Sequence, residues 1–115
     1  MSKVIDIAKY YYELSNQSNF DEIEKLFTED TTYYSENTWI FLWVAQIIIM
    51  QKIFHSGYQK LTWTINSIDE TDQWIVLIDF NFAWINNSWE EVTWSWFEYV
   101  VVNKWKIQHI KIDNK

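Results

Sequence analysis

The sequence is poor in residue types that most domains of this size use freely. Its 115 residues include one glycine, no proline and no cysteine, and arginine is absent as well. Without cysteine, neither a disulfide framework nor a thiolate metal site can form. The two histidines and the scattered carboxylates do not have the spacing of metal ligands, so we expect no bound metal.

Basic residues are also scarce. Nine lysines stand against sixteen acidic residues, which gives a net charge of −7. Nucleic acids and anionic membranes both require a basic face, so the charge argues against either partner. The N-terminal residues do not have the pattern of a signal peptide, and the longest apolar run, 39–45, is too short to span a membrane. We therefore expect a soluble, cytoplasmic domain.

Aromatic residues are abundant, at 20%, and nine of them are tryptophan. Four tryptophans stand in or next to predicted turns, where glycine is the usual residue: Trp39, Trp43, Trp89 and Trp105. One hypothesis is that several replace glycine, either by engineering or because a UGA codon that the source organism decodes as glycine was read as tryptophan. The scarcity of glycine, proline and arginine, all with GC-rich codons, agrees with an AT-rich genome. Alternatively, the tryptophans are native and line a large pocket or a dimer face.

Three helices are predicted from apolar residues spaced three and four apart. The first spans 4–15, and its apolar face consists of Val4, Ile7, Ala8, Tyr11 and Leu14. A second, short helix follows Asn19, which forms a capping-box pattern with Glu22. The third spans 44–55 and is apolar over a wide arc, which indicates burial on more than one side.

The remaining segments have the period of two that is typical of strands. A short strand is predicted at 31–34, and 37–42 is predicted as a loop that passes into a brief extended piece. Long strands follow at 60–68, 74–85 and in the closing hairpin 91–112. Both faces of the long strands are substantially apolar, so we expect helices to cover one face and a partner or loops the other. The predicted architecture is one α+β domain, 1–115, with three helices packed on a curved, mainly antiparallel sheet.

The stretches DIAKYYYELSNQSNFDEIEKLFTEDTTYY and FEYVVVNKWKIQHIKI, in this order, resemble the SnoaL-like, nuclear-transport-factor-2-like superfamily. The resemblance covers nearly the whole chain and implies a cone that encloses an apolar pocket, usually in a homodimer. Members include ketosteroid isomerases, polyketide cyclases, epoxide hydrolases and dehydratases, together with domains that have no catalytic activity. Fold alone cannot decide among these functions.

The resemblance also implies site residues. The oxyanion-hole tyrosine of the ketosteroid isomerases falls on Tyr10, and their buried carboxylic acid falls on Glu98. Both would donate hydrogen bonds to an enolate, which an apolar pocket favours by keeping the carboxyl protonated. The aspartate that moves the proton falls on Ser35, which is no general base unaided. The acid/base triad of the epoxide hydrolases is excluded, because it contains arginine.

Two further acid/base candidates lie on the long strands. Asp79 is a possible second pocket acid, although pairing with a lysine on the outer face is the alternative, and His109 is a possible acid/base group on the last strand. His55, at the end of the third helix, is interpreted as a structural cap. The predicted ligand-binding wall consists of Tyr11, Tyr33, Phe54, Trp63, Phe80 and Trp96.

Three functions follow as hypotheses. The first is binding of a small apolar or aromatic molecule in the cone pocket, in a homodimer that forms through the outer sheet face. The second is a cofactor-free isomerase, dehydratase or cyclase in which Tyr10 and Glu98 stabilise an enolate. The third is a non-catalytic association module whose surplus of aromatic residues forms an interface. A cavity with Glu98 in its wall would favour the first two.

Overall fold

The structure, a computed structural model, describes residues 3–36 and 40–115. Three helices and six strands follow one another in the order α1 (Lys3–Asn16), α2 (Phe20–Leu26), β1 (Phe27–Ser35), β2 (Ile40–Phe41), α3 (Val44–Ser56), β3 (Gln59–Asp72), β4 (Ile75–Ile85), β5 (Glu91–Asn103) and β6 (Lys106–Asn114). The predicted number and order of elements are confirmed. Trp39, one of the four tryptophans suggested to replace glycine, falls outside the described residues.

The helices begin and end where local chemistry favours it. Asn19 is the N-cap of α2, and its side chain accepts a hydrogen bond from the backbone N–H of Glu22, as the capping-box pattern predicts. Helix α3 begins after Trp43, whose side chain makes no capping hydrogen bond. The backbone of Trp43, at φ −153°, is extended, a conformation open to any residue. Position 43 therefore has no conformational need for glycine.

The six strands form one sheet in the order β2-β1-β6-β5-β4-β3. Every neighbouring pair is antiparallel except β1 and β6, which run parallel. The α+β architecture with a mainly antiparallel sheet is thus confirmed. Strand β1 begins at Phe27 rather than at Thr31, because the segment after α2 already pairs with β6, with a register shift between Phe27 and Thr32.

The core lies between the helices and one face of the sheet. In β4 the alternate residues Val76, Ile78, Phe80 and Phe82 are buried. Their partners in register on β5 are the buried Val100 and Glu98, the half-buried Trp96 and the exposed Trp94. Tyr12 of α1 packs its ring 5.7 Å from that of Phe80, and Phe54 of α3 packs 5.3 Å from Phe82. We call this the inner face of the sheet. The opposite, outer face carries the odd-numbered residues of β4.

No helix in the described part of the chain is long and apolar enough to cross a membrane. The cytoplasmic location expected from the sequence stays a prediction.

Candidate functional site

A cavity of about 100 Å³ lies between the inner face and the helices α1 and α3. Aromatic side chains make up most of its wall, and the polar ones are few. The lining residues are Tyr11, Tyr12, Ser15, Tyr33, Ser35, Met50, Gln51, Phe54, His55, Trp63, Phe80, Phe82, Trp96, Glu98 and Ile112. The chain therefore forms a pocket at the place where the helices cover the sheet.

Glu98 is the charged residue that the strand period brings into this wall. It lies two residues before Val100 and four before Val102, both fully buried, and is itself only 4% exposed. The hydroxyl of Tyr12 donates a hydrogen bond of 2.8 Å to its Oε1. Within residues 3–36 and 40–115, its other oxygen, Oε2, has no hydrogen-bond partner. One buried carboxylate oxygen thus lacks a donor.

Burial changes the acid–base behaviour of the groups around this carboxyl. Desolvation raises the pKa of Glu98 to about 7, against the smaller, opposing effect of the Tyr12 hydrogen bond. Desolvation, with the negative charge of Glu98 as a further cause, also raises the pKa of the Tyr11, Tyr12 and Tyr33 hydroxyls above the ordinary range. Near neutral pH, Glu98 therefore exists in both protonation states, while the three tyrosines remain neutral.

Gln51 of α3 is a second polar group in the wall, and the sequence analysis did not assign it to the site. Its Nε2 donates a hydrogen bond of 2.8 Å to the Tyr11 hydroxyl. Among the described residues its Oε1 has no partner, although Gln51 is only 8% exposed. The sequence did contain a signal for a site role of Gln51: it is a glutamine on the same helical face as Ile47 and Ile48, in an otherwise apolar arc.

The resemblance implied that Tyr10 is the pocket tyrosine, but the structure places Tyr10 outside the pocket. Tyr10 is 43% exposed and does not line the cavity, whereas Tyr11 and Tyr12 are buried in its wall. Successive helical residues are about 100° apart, so Tyr12 lies roughly 200° around α1 from Tyr10. It follows the fully buried Ala8 by four residues, one turn along the buried face. The hydroxyl that this face of α1 brings to Glu98 is therefore that of Tyr12 and not that of Tyr10.

Asp79 and His109 are not part of the cavity wall. Asp79 lies on the outer face, where it forms an ion pair with Lys115 and accepts a hydrogen bond from Asn66. The lysine pairing that the sequence left as an alternative is therefore the correct one. His109 lies 2.6 Å from the Thr32 hydroxyl through its Nδ1, and its strand partner Val101 faces outward. Neither side chain therefore lies in the pocket, where the sequence analysis had suggested it. Asp79 alternates to the outer side of β4. His109 is turned away from the face of Ile107 by the register shift between Val101 and Val102 in the pairing of β5 with β6.

All six residues predicted to bind ligand lie in the cavity wall: Tyr11, Tyr33, Phe54, Trp63, Phe80 and Trp96. Ser35, where the resembling isomerases have an aspartate, is also buried there. The structure thus shows that these residues line the cavity, and their role in ligand binding stays a prediction.

His55 also lines the cavity, which the interpretation as a helix cap did not anticipate. Its Nδ1 lies 2.9 Å from the Ser18 hydroxyl, and its ring packs against Phe20 and Trp63. Burial lowers its pKa to about 4, so the imidazole is neutral near pH 7. A residue that acted mainly through the helix dipole would have a raised pKa. In the described ranges, no three histidine or acidic side chains are grouped as a metal site.

No family model and no curated protein sequence matches the chain, but many solved structures share its fold. A proposed SnoaL-like polyketide cyclase from Shewanella putrefaciens superimposes with a TM-score of 0.83 at 10% identity, covering 98% of this chain and 91% of its own. A hypothetical protein of ketosteroid-isomerase-like fold from Catenulispora acidiphila, in complex with trimethylamine, gives 0.82 at 13% identity, with 92% and 82% covered. An LEH-like epoxide hydrolase from M. tuberculosis gives 0.81 at 14%, with 96% and 80% covered.

Proposed function

We propose that the chain binds a small, largely apolar molecule in this pocket. Its cone fold, which is that of the nuclear-transport-factor-2-like superfamily, supports a pocket-bearing function. The observation that carries the proposal is a mainly aromatic wall interrupted by one buried carboxyl, Glu98, with its donor Tyr12. Small-molecule sites usually combine an apolar wall with a few convergent polar groups. The similar C. acidiphila protein is in complex with trimethylamine, which supports a ligand of this small size.

The volume limits the size of the ligand. Pockets for drug-sized molecules measure about 300 to 1,000 Å³, and an engineered cavity of about 150 Å³ holds benzene. At about 100 Å³ this cavity accommodates a molecule smaller than benzene. An aromatic ligand, which the sequence hypothesis included, would require Trp63 or Trp96 to move or to be a smaller residue. Steroids and fused polyketides are larger still.

Fragment binding followed by NMR tests the proposal. We expect fragments of up to roughly six heavy atoms to shift the indole N–H resonances of Trp63 and Trp96, which line the cavity, and not that of Trp89, which is in an exposed turn. Fragments with a donor end should bind more weakly near pH 7 in Tyr12→Phe, because loss of the Tyr12 hydrogen bond raises the pKa of Glu98 and leaves less of the carboxyl ionised. Tyr10→Phe, the matched control on the exposed side of α1, should bind like the parent.

Two results would contradict this proposal. One is a screen in which no fragment perturbs Trp63 or Trp96. The other is a set of fragments whose shifts map to the outer face and do not respond to Tyr12→Phe.

A second candidate function, the cofactor-free isomerase, dehydratase or cyclase, is favoured by one specific observation. The pKa of Glu98 is about 7, so a large fraction of the carboxyl is neutral at pH 7, and its Oε2 can then donate to an enolate oxygen. The base is the missing part. Ser35 replaces the aspartate, and the cavity's imidazole, His55, has a pKa of about 4, which makes it a weak base near neutral pH.

Deuterium exchange tests this second function directly. If Glu98 stabilises an enolate, the protein should accelerate exchange of the α-hydrogens of acetone in D₂O, and Glu98→Gln should abolish the acceleration. Exchange rates equal to those of buffer, measured under conditions where acetone binding is detected, would leave binding alone. The third hypothesis, a pure association module, has less support, because Glu98 lies in the wall of an internal cavity and not in a filled core.

A further inference from the structure

We infer that the ligand of this cavity carries a primary ammonium group, held by Glu98 Oε2 and Gln51 Oε1 within the aromatic wall. The inference rests on the proposed function, since it names the chemical class of the molecule that would occupy the same cavity. Among the described residues, three features of the wall point to this class: two unpaired acceptors, no cationic side chain, and a majority of aromatic rings.

The unpaired acceptors indicate what the ligand must supply. Glu98 is 4% exposed and Gln51 is 8% exposed, and both line the cavity. Within the described ranges neither Glu98 Oε2 nor Gln51 Oε1 has a hydrogen-bond partner. A buried acceptor without a donor is costly, and a ligand that donates to both removes that cost. The ligand should therefore be a donor at more than one position.

The charge of the wall favours a cation. None of the described lysines lines the cavity, and the one imidazole, His55, is neutral because of its low pKa. The chain as a whole carries a net charge of −7, so its field attracts cations and repels anions. Eight of the fifteen lining residues are Tyr, Phe or Trp, the ring types that attract an ammonium group when it is removed from water.

Among cations, a primary ammonium matches best. It carries three N–H donors, whereas a tertiary ammonium has one. A buried ion pair is favourable only when additional hydrogen bonds satisfy the remaining donors, and Gln51 Oε1, an unpaired acceptor in the wall of the same cavity as Glu98, can accept such a bond. A carboxylate ligand would meet Glu98 with the same charge. A ketone has no donor and would leave both acceptors unpaired while Glu98 is ionised.

The pH dependence of binding distinguishes these classes. The titratable groups that face Glu98 are Tyr11 and Tyr12 from α1, Tyr33 from β1 and His55 from α3. Their pKa values lie outside pH 6 to 8, being raised for the tyrosines and about 4 for His55. Glu98, with a pKa of about 7, is then the group that titrates in this window. An ammonium ligand binds its ionised form, and an enolate or carboxylate binds its protonated form.

The experiment compares four probes with equal numbers of heavy atoms: n-propylamine, 1-propanol, acetone and acetate. Binding is measured from the Trp63 and Trp96 indole resonances at pH 6 and pH 8. We expect n-propylamine to bind with Kd on the order of 1 mM and about tenfold more tightly at pH 8 than at pH 6, since Glu98 ionises with a pKa of about 7. Glu98→Gln should weaken binding at least tenfold at pH 8 and remove the pH dependence.

Asp69→Asn is the matched control, because it removes one negative charge from an exposed position on β3. It should leave amine binding unchanged, which separates a built site from general attraction to an acidic protein. Amine affinity that is equal at the two pH values, or equal to that of propanol, would overturn the ammonium inference. If acetone or propanol shifts the two indoles in that case, the proposed pocket function stands on its own. If none of the four probes binds, both proposals fail.

Discussion

At the scale of single residues, ionisation of the buried Glu98 carboxyl lowers the stability of the folded chain. The ordinary pKa of the carboxyl is 4.5, and burial raises it to about 7. Below pH 4.5 both the folded and the unfolded chain are protonated, so burial of the charge costs nothing there. Between pH 4.5 and 7 the unfolded chain releases its proton and the folded chain keeps it, so the free energy of unfolding falls as the pH rises. Above pH 7 the decrease in the free energy of unfolding is constant, at about 3 kcal/mol.

Glu98→Gln should remove this loss. The side chain keeps its shape and an oxygen acceptor for Tyr12 but cannot ionise. We expect the free energy of unfolding at pH 8 to rise by about 1 to 3 kcal/mol relative to the parent, and to be nearly the same as the parent at pH 4. Urea denaturation at a series of pH values measures both. Glu13→Gln, at an exposed position of α1, is the control and should follow the parent curve. A difference between Glu98→Gln and the parent that does not vary with pH would contradict the raised pKa.

His55 has the opposite effect on stability. Its pKa falls from 6.5 to about 4 on folding, so the unfolded chain binds more protons between these values. Stability therefore rises with pH in that window, where Glu98 makes it fall. The parent should show a shallow net dependence there, and Glu98→Gln should expose the rising slope of His55.

At the scale of elements, three hairpins turn at tryptophans with left-handed backbone. Trp74, Trp89 and Trp105 have φ of 71°, 62° and 64°. In the turn between β4 and β5, the N–H of Trp89 donates to the Asn86 carbonyl, and Asn86 Oδ1 accepts from Ser88 and Glu90. In the turn between β5 and β6, Lys104 and Trp105 both have positive φ, the pattern of a type I′ turn. Glycine takes these conformations without steric cost, and an L-residue does so at about 1 to 2 kcal/mol.

Trp89→Gly should stabilise the chain by about 1 kcal/mol, because Trp89 is 74% exposed and strain relief outweighs the added freedom of the unfolded chain. Thermal or urea unfolding measures the change. Trp94→Gly is the matched control. Trp94 is also exposed, but it lies inside β5 and stacks on Trp84 and Trp96, so its replacement should destabilise. Loss of stability in Trp89→Gly would argue that the turn requires tryptophan.

The same positions bear on the origin of the tryptophans. The sequence pointed to Trp89 and Trp105, and both have positive φ, as the substitution hypothesis requires. Trp74 was missed, because Asp72 and Gln73 before it are no strong turn signal. Gly57, the one glycine, has an ordinary φ of −82°. Intact mass of the protein made by its native host would decide whether these positions are glycine there. The same answer decides whether Trp63 and Trp96 narrow the pocket.

The helices and strands were predictable because their apolar residues recur with a strong helical or strand period. The site residues were predictable where that period alone determines which way a side chain points. A period of two places Glu98 inward beside Val100, and helical spacing places Tyr11 inward beside Ala8. The resemblance placed the hydroxyl at Tyr10, against the helical spacing, and the spacing was the better guide. Asp79 and His109 could not be assigned from local pattern, because both faces of β4 and β6 carry apolar residues. Gln51 was not recognised because its partner Tyr11 lies 40 residues away along the chain.

At the scale of the whole molecule, the outer face of the sheet is the apolar surface that no helix covers within the described residues. Ile75, Leu77, Phe97, Tyr99 and Val101 form its centre, in register across β4 and β5. The ion pairs Asp79–Lys115 and Asp113–Lys111 lie beside this patch, and each lysine also approaches an aromatic ring of it. An apolar centre with a charged rim has the composition of a protein interface.

We propose that two copies of the chain associate through this face, as the sequence analysis expected of the homodimer. Sedimentation should then give a dimer at micromolar concentration, and Leu77→Glu should give a monomer, because a charge at the centre of a self-complementary interface is buried twice without a partner. Ile53→Glu provides the control, since Ile53 is 67% exposed on α3, away from the sheet's outer face. It should remain dimeric. Circular dichroism verifies that both variants are folded. A monomeric parent, or a dimer that Ile53→Glu disrupts and Leu77→Glu does not, would place the interface elsewhere and leave the outer face without an assigned partner.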